Sequence, residues 1–146
     1  MQARKVQAVY ENRMSTRIAF RGSVSDVVLI VEDEYAARTG MEQILHRAGY
    51  APVSAPNGQA ALDLLRAGVP ARVIILDLMM PVMDGWAFRR EQLRDPHLAH
   101  IPVIVLSALH HGWVEGVPPT LPKPVNVKQL LAELDDLFSR PSLNGR

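Results

Sequence analysis

The run Val73–Leu76 restricts the fold more than any other stretch, because it is short, unbroken and made only of β-branched and aliphatic residues. Such a run is typical of a strand that is buried on both faces of a parallel sheet. Asp77 follows it directly, and Pro81 and then Asp84-Gly85 prevent the strand from continuing. In an open α/β sheet, ligands bind beyond the carboxyl ends of the strands. The sequence therefore predicts that Asp77 lies where such a domain carries out its chemistry.

Other runs predict further strands of the same sheet. Val27–Val31 and Pro102–Leu106 are also buried runs of β-branched and aliphatic residues. Ala51–Ala55 is weaker and contains Pro52, which favours a position near the edge of the sheet. A short fifth strand is predicted just before Lys123, and the prolines around it should leave it poorly hydrogen-bonded.

Segments with helical spacing of apolar residues alternate with these strands. Asn57 and Asn126 are predicted N-caps, the second with Gln129 in the manner of a capping box. The apolar positions are Ala37, Met41, Ile44, Leu45 and Ala48 in the first helix, Ala61, Leu64 and Leu65 in the second, Trp86 and Leu93 in the third, and Val127, Leu130, Leu131, Leu134, Leu137 and Phe138 in the last. This alternation implies right-handed crossovers. We therefore predict an α/β fold, a doubly wound five-stranded parallel sheet.

The size of the chain favours one domain, predicted over residues 26–140. Residues 1–25 are polar and basic and are predicted to be a flexible extension, and residues 141–146 a short tail.

The chain contains no cysteine, which excludes disulfides, thiolate metal sites and a cysteine nucleophile. No apolar run reaches the roughly 18 residues that span a bilayer, so we expect a cytoplasmic protein without membrane insertion. The net charge of +1 gives no indication of nucleic acid as a partner.

Polar side chains follow the predicted strands at the ends that a parallel sheet brings together. They are Glu32 and Asp33, Asp77, Ser107 and Lys123. Clustered carboxylates repel one another unless a cation lies among them, and oxygen ligands without histidine or cysteine suit Mg²⁺. With the Lys123 ammonium and the Ser107 hydroxyl, such a pocket would hold a phosphoryl group. Asp77 would then form an aspartyl phosphate. Taken singly, each residue has a structural explanation, as a helix N-terminal acid, a turn residue or a surface charge.

These residues also carry a family resemblance. The chain from about Val27 to Phe138 resembles the receiver domain of two-component response regulators, whose fold is flavodoxin-like. The matching pieces are Glu32-Asp33, the block from Leu76 to Gly85, Ser107-Ala108 and Lys123-Pro124. The resemblance implies that Asp77 is the phospho-acceptor and that Glu32, Asp33, Asp77 and the backbone carbonyl of Met79 bind Mg²⁺. It also implies that Ser107 bonds the phosphoryl group, that Lys123 pairs with it, and that the Lys123-Pro124 peptide bond is cis.

The resemblance also implies a signalling role rather than that of an enzyme with its own substrate. The phosphoryl donor would be a histidine kinase or phosphotransfer protein, and the domain would support its own phosphotransfer and slow dephosphorylation. Since nothing follows the last predicted helix, we expect a single-domain regulator that signals through a downstream protein partner. We expect it to be a monomer or a weak dimer.

The sequence departs from the family between Ser107 and Lys123. The segment Leu109–Thr120 contains two glycines and two prolines, which disfavour a helix of more than one turn. We therefore predict that the family's fourth helix is missing or reduced to a loop. Thr120 stands where the family usually has an aromatic switch residue, three positions before the lysine.

Three alternative functions remain open. A phosphohydrolase working through an aspartyl phosphate would need a second acid two residues after Asp77, where Met79 stands. A flavodoxin-like cofactor binder would need a phosphate loop after the first strand, where Glu32-Asp33-Glu34 would repel phosphate unless a metal intervened. A receiver-like module that binds a partner without being phosphorylated is disfavoured because the acids, serine and lysine are all present.

Overall fold

Five short strands form one parallel sheet in the computed structural model, which describes residues 26–108 and 118–140. The strands are β1 (Val27–Val31), β2 (Ala51–Ala55), β3 (Val73–Asp77), β4 (Val103–Ser107) and β5 (Thr120–Pro122). The helices among the described residues are α1 (Tyr35–Arg47), α2 (Gly58–Arg66), α3 (Gly85–Arg94) and α4 (Val127–Ser139). The strand order is β2-β1-β3-β4-β5. The predicted doubly wound α/β fold is therefore confirmed, with β2 at an edge as expected.

The core has two layers, one on each face of the sheet. Successive side chains of a strand point to opposite faces, so Val27, Leu29 and Val31 belong to one layer and Val28 and Ile30 to the other. The first layer includes buried residues of α2 and α3, and the second includes buried residues of α1 and α4. Both faces of β1 are thus buried, as expected for a strand inside a parallel sheet.

The predicted N-caps are confirmed. The Asn57 side chain accepts a hydrogen bond from the Ala60 amide at 2.8 Å, and the Asn126 side chain accepts one from the Gln129 amide at 3.1 Å. Among the described residues, the Gln129 side chain does not return the bond, so only half of the predicted capping box forms. Asp84 caps α3 by accepting from the Ala87 amide at 2.8 Å.

The predicted apolar face of α3 is wrong. Trp86 and Leu93 are 47% and 52% exposed, whereas Phe88 and Gln92 are completely buried. A glutamine occupies a core position of α3, which concealed the helical periodicity in the sequence. Its amide nitrogen donates to the carbonyl oxygens of Leu98 at 3.0 Å and Ile101 at 2.9 Å. Gln92 thereby ties α3 to the segment that leads into β4.

Replacing Gln92 by leucine is expected to destabilise the fold by about 2 kcal/mol, because two buried hydrogen bonds from its amide to the Leu98 and Ile101 carbonyl oxygens are lost. The Arg89 guanidinium, which donates to the Gln92 side-chain oxygen at 2.7 Å, would also lose its acceptor. Urea unfolding would measure the change in the free energy of unfolding. The matched control is Gln43→Leu, at an exposed position of α1. Equal stability of Gln92→Leu and the wild type would contradict the prediction.

No helix in the described parts of the chain has both the length and the apolar character needed to cross a membrane. The predicted reduction of the helix between β4 and β5 falls on residues 109–117, outside the described residues. The same holds for the predicted extension 1–25 and tail 141–146, so these remain predictions.

Candidate functional site

The register of the sheet brings the predicted site residues to one edge. Val31 of β1 pairs with Leu76 of β3, so the next residue of each strand, Glu32 and Asp77, lie beside each other. Both β3 and β4 extend one residue beyond their predicted ends, to Asp77 and Ser107. Asp77 and Ser107 are consequently buried at the sheet edge rather than exposed in the loops that follow.

Three carboxyl groups cluster at this edge. One carboxylate oxygen each from Glu32, Asp33 and Asp77 lies within 4.8 Å of the other two. Glu32 and Asp77 are buried, and Asp33 is exposed. An oxygen-only set of this kind matches the ligand preference of a hard divalent cation. The predicted convergence of the three acids is therefore observed.

The Lys123 ammonium lies between the two buried carboxylates. Its Nζ atom is 3.1 Å from Glu32 Oε2 and 3.2 Å from Asp77 Oδ1. The Lys123 backbone amide also donates to the Ser107 carbonyl at 3.0 Å, which fixes the lysine at the end of β4. The Lys123-Pro124 peptide bond is cis, as the resemblance implied. Four strand ends therefore supply acids, a hydroxyl residue and an amine to one edge.

Burial and neighbouring charges shift the pKa values of Glu32 and Lys123. Burial, and next the charge of Asp77, raise the pKa of Glu32 above its ordinary value of 4.5, although Lys123 opposes the shift. Burial alone would lower the pKa of Lys123, but its hydrogen bond to Glu32 and the charge of Asp77 outweigh burial and raise that pKa above 10.5. The lysine is therefore held in its charged form. A buried acid beside another acid makes this edge receptive to a further cation.

The raised pKa of Glu32 predicts a pH dependence of folding without divalent cations. A carboxyl group that holds its proton more tightly when folded stabilises the fold at low pH, and this contribution is lost as the pH rises through the folded-state pKa. Comparison with Glu32→Gln isolates it from the other acids. In EDTA, the stability of the wild type relative to Glu32→Gln should fall as the pH rises from 4.5. A difference that is constant or grows with pH would contradict the prediction.

Backbone contacts orient the acids. The amide of Glu34 donates to Glu32 Oε1, and the amide of Met79 donates to Asp77 Oδ1, both at 3.2 Å. The Arg38 guanidinium donates to the backbone carbonyls of Glu32 at 2.9 Å and Asp33 at 3.3 Å. Arg38 thus holds the β1–α1 connection that carries both acids. Sequence reasoning missed it, although a cation in the first turns of a helix is electrostatically unfavourable without a specific partner.

The loop after β3 is pressed closely against the strand end. A Cβ atom on Gly85 would lie 2.6 Å from the Asp77 carbonyl oxygen and 2.7 Å from Leu78 Cα. The Gly85 amide donates to the Leu78 carbonyl at 3.0 Å. Only glycine permits this approach. Gly85 therefore also allows the start of α3 to pack directly against the end of β3. Within the same loop, Val82 has a φ of 69°, which a β-branched residue adopts only under strain.

Residues around Asp77 differ in how far they are buried. Met80 and Met83 pack on the core, whereas Met79 is 65% exposed. The Thr120 hydroxyl donates to the Pro118 carbonyl at 3.1 Å on the surface. The ligand role of the Met79 carbonyl stays a prediction. Trp113, in the segment between β4 and β5, lies outside the described residues.

Comparison with known proteins agrees with this geometry. Residues 28–135 match the family model of the response regulator receiver domain. The chain is 35% identical over 119 residues to the probable transcriptional regulator ycf27 of Guillardia theta, covering 77% of this chain and 45% of that protein. It is also 35% identical to the response regulator MprA of Mycolicibacterium vanbaalenii, covering 77% of this chain and 50% of that protein. The chain therefore spans about half the length of these curated relatives.

Solved structures show the same fold. The chemotaxis protein CheY4 of Vibrio cholerae superposes with a TM-score of 0.68 at 28% identity, covering 76% of this chain and 97% of that one. The signal receiver domain of a histidine kinase from Syntrophus aciditrophicus gives a TM-score of 0.71 at 29% identity, covering 82% and 97%. Together with the acids and lysine at the sheet edge, these matches show that the chain belongs to the response regulator receiver domain family of two-component signalling.

Proposed function

We propose that this domain accepts a phosphoryl group on Asp77 from the phosphohistidine of a histidine kinase or phosphotransfer protein, in a Mg²⁺-dependent reaction, and signals through a downstream protein. The observation that carries the proposal is the position of Asp77. Its carboxylate is buried, 3.2 Å from the Lys123 ammonium, and in reach of two further acids. This arrangement supplies a nucleophile and the positive charge that its product requires.

The acidic cluster fits Mg²⁺ by the chemistry of its donors. Glu32, Asp33 and Asp77 offer only oxygen ligands, within 4.8 Å of one another. The Met79 backbone carbonyl is the proposed fourth protein ligand. When bound, the ion would neutralise charge that builds up on phosphoryl oxygens. It would also relieve the mutual repulsion of Glu32 and Asp77, which Lys123 already opposes.

The chain's own residues have separate roles in the transfer. The contacts to Lys123 and the Met79 amide both involve Oδ1 of Asp77, so the other carboxylate oxygen attacks phosphorus. A new O–P bond forms as the P–N bond of the phosphohistidine breaks, and the donor histidine keeps the electron pair. Lys123 then pairs with a phosphoryl oxygen, and Ser107 donates its hydroxyl hydrogen to another. Burial of Glu32 and Asp77 strengthens these charge interactions.

A small-molecule phosphodonor tests this proposal without the cognate kinase. Incubation with an acyl phosphate and Mg²⁺ should add a single phosphoryl group, detected by intact-protein mass spectrometry and located on the peptide that contains Asp77. EDTA should prevent the adduct. A protein that hydrolyses phosphomonoesters over many turnovers would instead be a phosphohydrolase. Lack of an adduct, or an adduct on another residue, would overturn the proposed role of Asp77.

A further inference from the structure

Helix α3 presents an apolar and basic strip to solvent. Trp86, Arg90 and Leu93 follow one another at i, i+4 and i+7, which places them on one side of the helix. The two apolar side chains are about half exposed, at 47% and 52%. We call these three residues the α3 strip. Tryptophan and arginine are among the residue types enriched in the energetically dominant contacts of protein interfaces.

The charge of α3 indicates the chemistry of a partner. The helix carries Arg89, Arg90 and Arg94 and a single acid, Glu91. Arg94 pairs with Glu91 at 3.3 Å, and Arg89 donates to Gln92. Arg90 makes no hydrogen bond or ion pair within the described part of the chain. A solvent-exposed guanidinium between two exposed apolar side chains is complementary to an acidic group flanked by apolar ones.

The strip is also directly connected to the site. Trp86 follows Gly85, which lies directly against the Asp77 carbonyl. The first residue of α3 is therefore in contact with the residue that carries the site carboxylate. The connecting loop holds Val82 in a strained conformation with its side chain 85% exposed. Strain of this kind persists only where the surrounding structure holds the segment in place, and it is common at functional sites and switch regions. A change in charge at Asp77 can therefore displace the α3 strip through the backbone contact of Gly85 with Asp77.

We propose that the α3 strip docks an amphipathic helix of a partner protein, which carries acidic side chains beside apolar ones, and that phosphorylation of Asp77 alters its affinity. This inference rests on the proposed function and adds a partner class and a surface to it. The apolar partner residues pack on Trp86 and Leu93. A partner carboxylate pairs with Arg90, and this pairing also accelerates encounter.

The test uses a synthetic, dye-labelled amphipathic peptide with leucine on one face and glutamate on the other, measured by fluorescence anisotropy. Trp86→Ala and Arg90→Glu should each weaken binding by about tenfold or more. The matched controls are Val127→Ala and Arg47→Glu, exposed positions on α4 and α1, which should leave binding within about twofold. A peptide with lysine in place of glutamate should bind poorly to the wild type and better to Arg90→Glu.

Phosphorylation supplies the second readout. Treatment with acyl phosphate and Mg²⁺ should change the peptide affinity by about fivefold or more. Equal affinities before and after modification, unchanged binding by both strip variants, or stronger binding to phosphatidylserine vesicles than to the peptide would each overturn the inference. Mass spectrometry on the same samples separates the two proposals. If Asp77 is modified but the strip variants behave like the wild type, the docking inference fails and the proposed function stands.

Discussion

Replacing Asp77 by asparagine is expected to abolish phosphoryl uptake, with a loss of at least about 100-fold in adduct formation from acyl phosphate. The amide has nearly the shape of the carboxylate but lacks the anionic oxygen that attacks phosphorus. Lys123 keeps its hydrogen bond to Glu32 in this variant, at 3.1 Å in the wild type. The variant is therefore expected to fold. Intact-protein mass spectrometry after timed incubation measures the loss, and circular dichroism checks the fold.

Asp84→Asn is the matched control for this substitution. Asp84 belongs to the same loop and caps α3, and asparagine is an equally good N-cap. This control should accept the phosphoryl group at nearly the wild-type rate. If Asp77→Asn still forms a Mg²⁺-dependent adduct, a different residue is the acceptor. If both variants lose the adduct equally, the loop rather than the Asp77 carboxylate controls the reaction.

Replacing Lys123 by methionine is expected to impair both folding and phosphoryl transfer. The ammonium lies within 3.2 Å of two buried carboxylates, and its own side chain is 29% exposed. Its removal leaves two like charges without their cation, and we expect a loss of about 2–4 kcal/mol in the free energy of unfolding in EDTA. Loss of its charge from the transition state should slow adduct formation by about 100-fold.

Magnesium should restore part of the lost stability, because a cation among the acids takes over the screening role of the lysine. The stabilisation by Mg²⁺ should therefore be larger for Lys123→Met than for the wild type, as urea unfolding with and without the ion would show. Lys128→Met, at an exposed position of α4, is the matched control and should change stability by no more than about 0.5 kcal/mol. Equal Mg²⁺ effects on the two variants would contradict this account of the site.

The sequence by itself determined the fold class and which polar residues lie together at the carboxyl ends of the strands. The strand runs are buried on both faces, so their residues are almost uniformly apolar and can be recognised without tertiary information. Asp77, Glu32 and Lys123 were identified because parallel strands all end at the same edge. Asn57 was recognisable as a cap because its hydrogen bond is local, to the Ala60 amide. Local propensity and topology suffice for such features.

Only the tertiary structure decided which way α3 faces and what surrounds the acids. Gln92 lies in the core because carbonyls of the segment that follows α3 satisfy its amide, and Trp86 faces outward. Gly85 is required because the backbone of β3 passes within 2.6 Å of its missing Cβ, a contact that no local pattern encodes. Arg38 holds the β1–α1 connection by donating to a backbone carbonyl. Every residue has a backbone carbonyl, so the sequence gives no indication of such a partner. These interactions join residues five to nine positions apart, and their geometry depends on how each connecting segment and helix packs on the sheet.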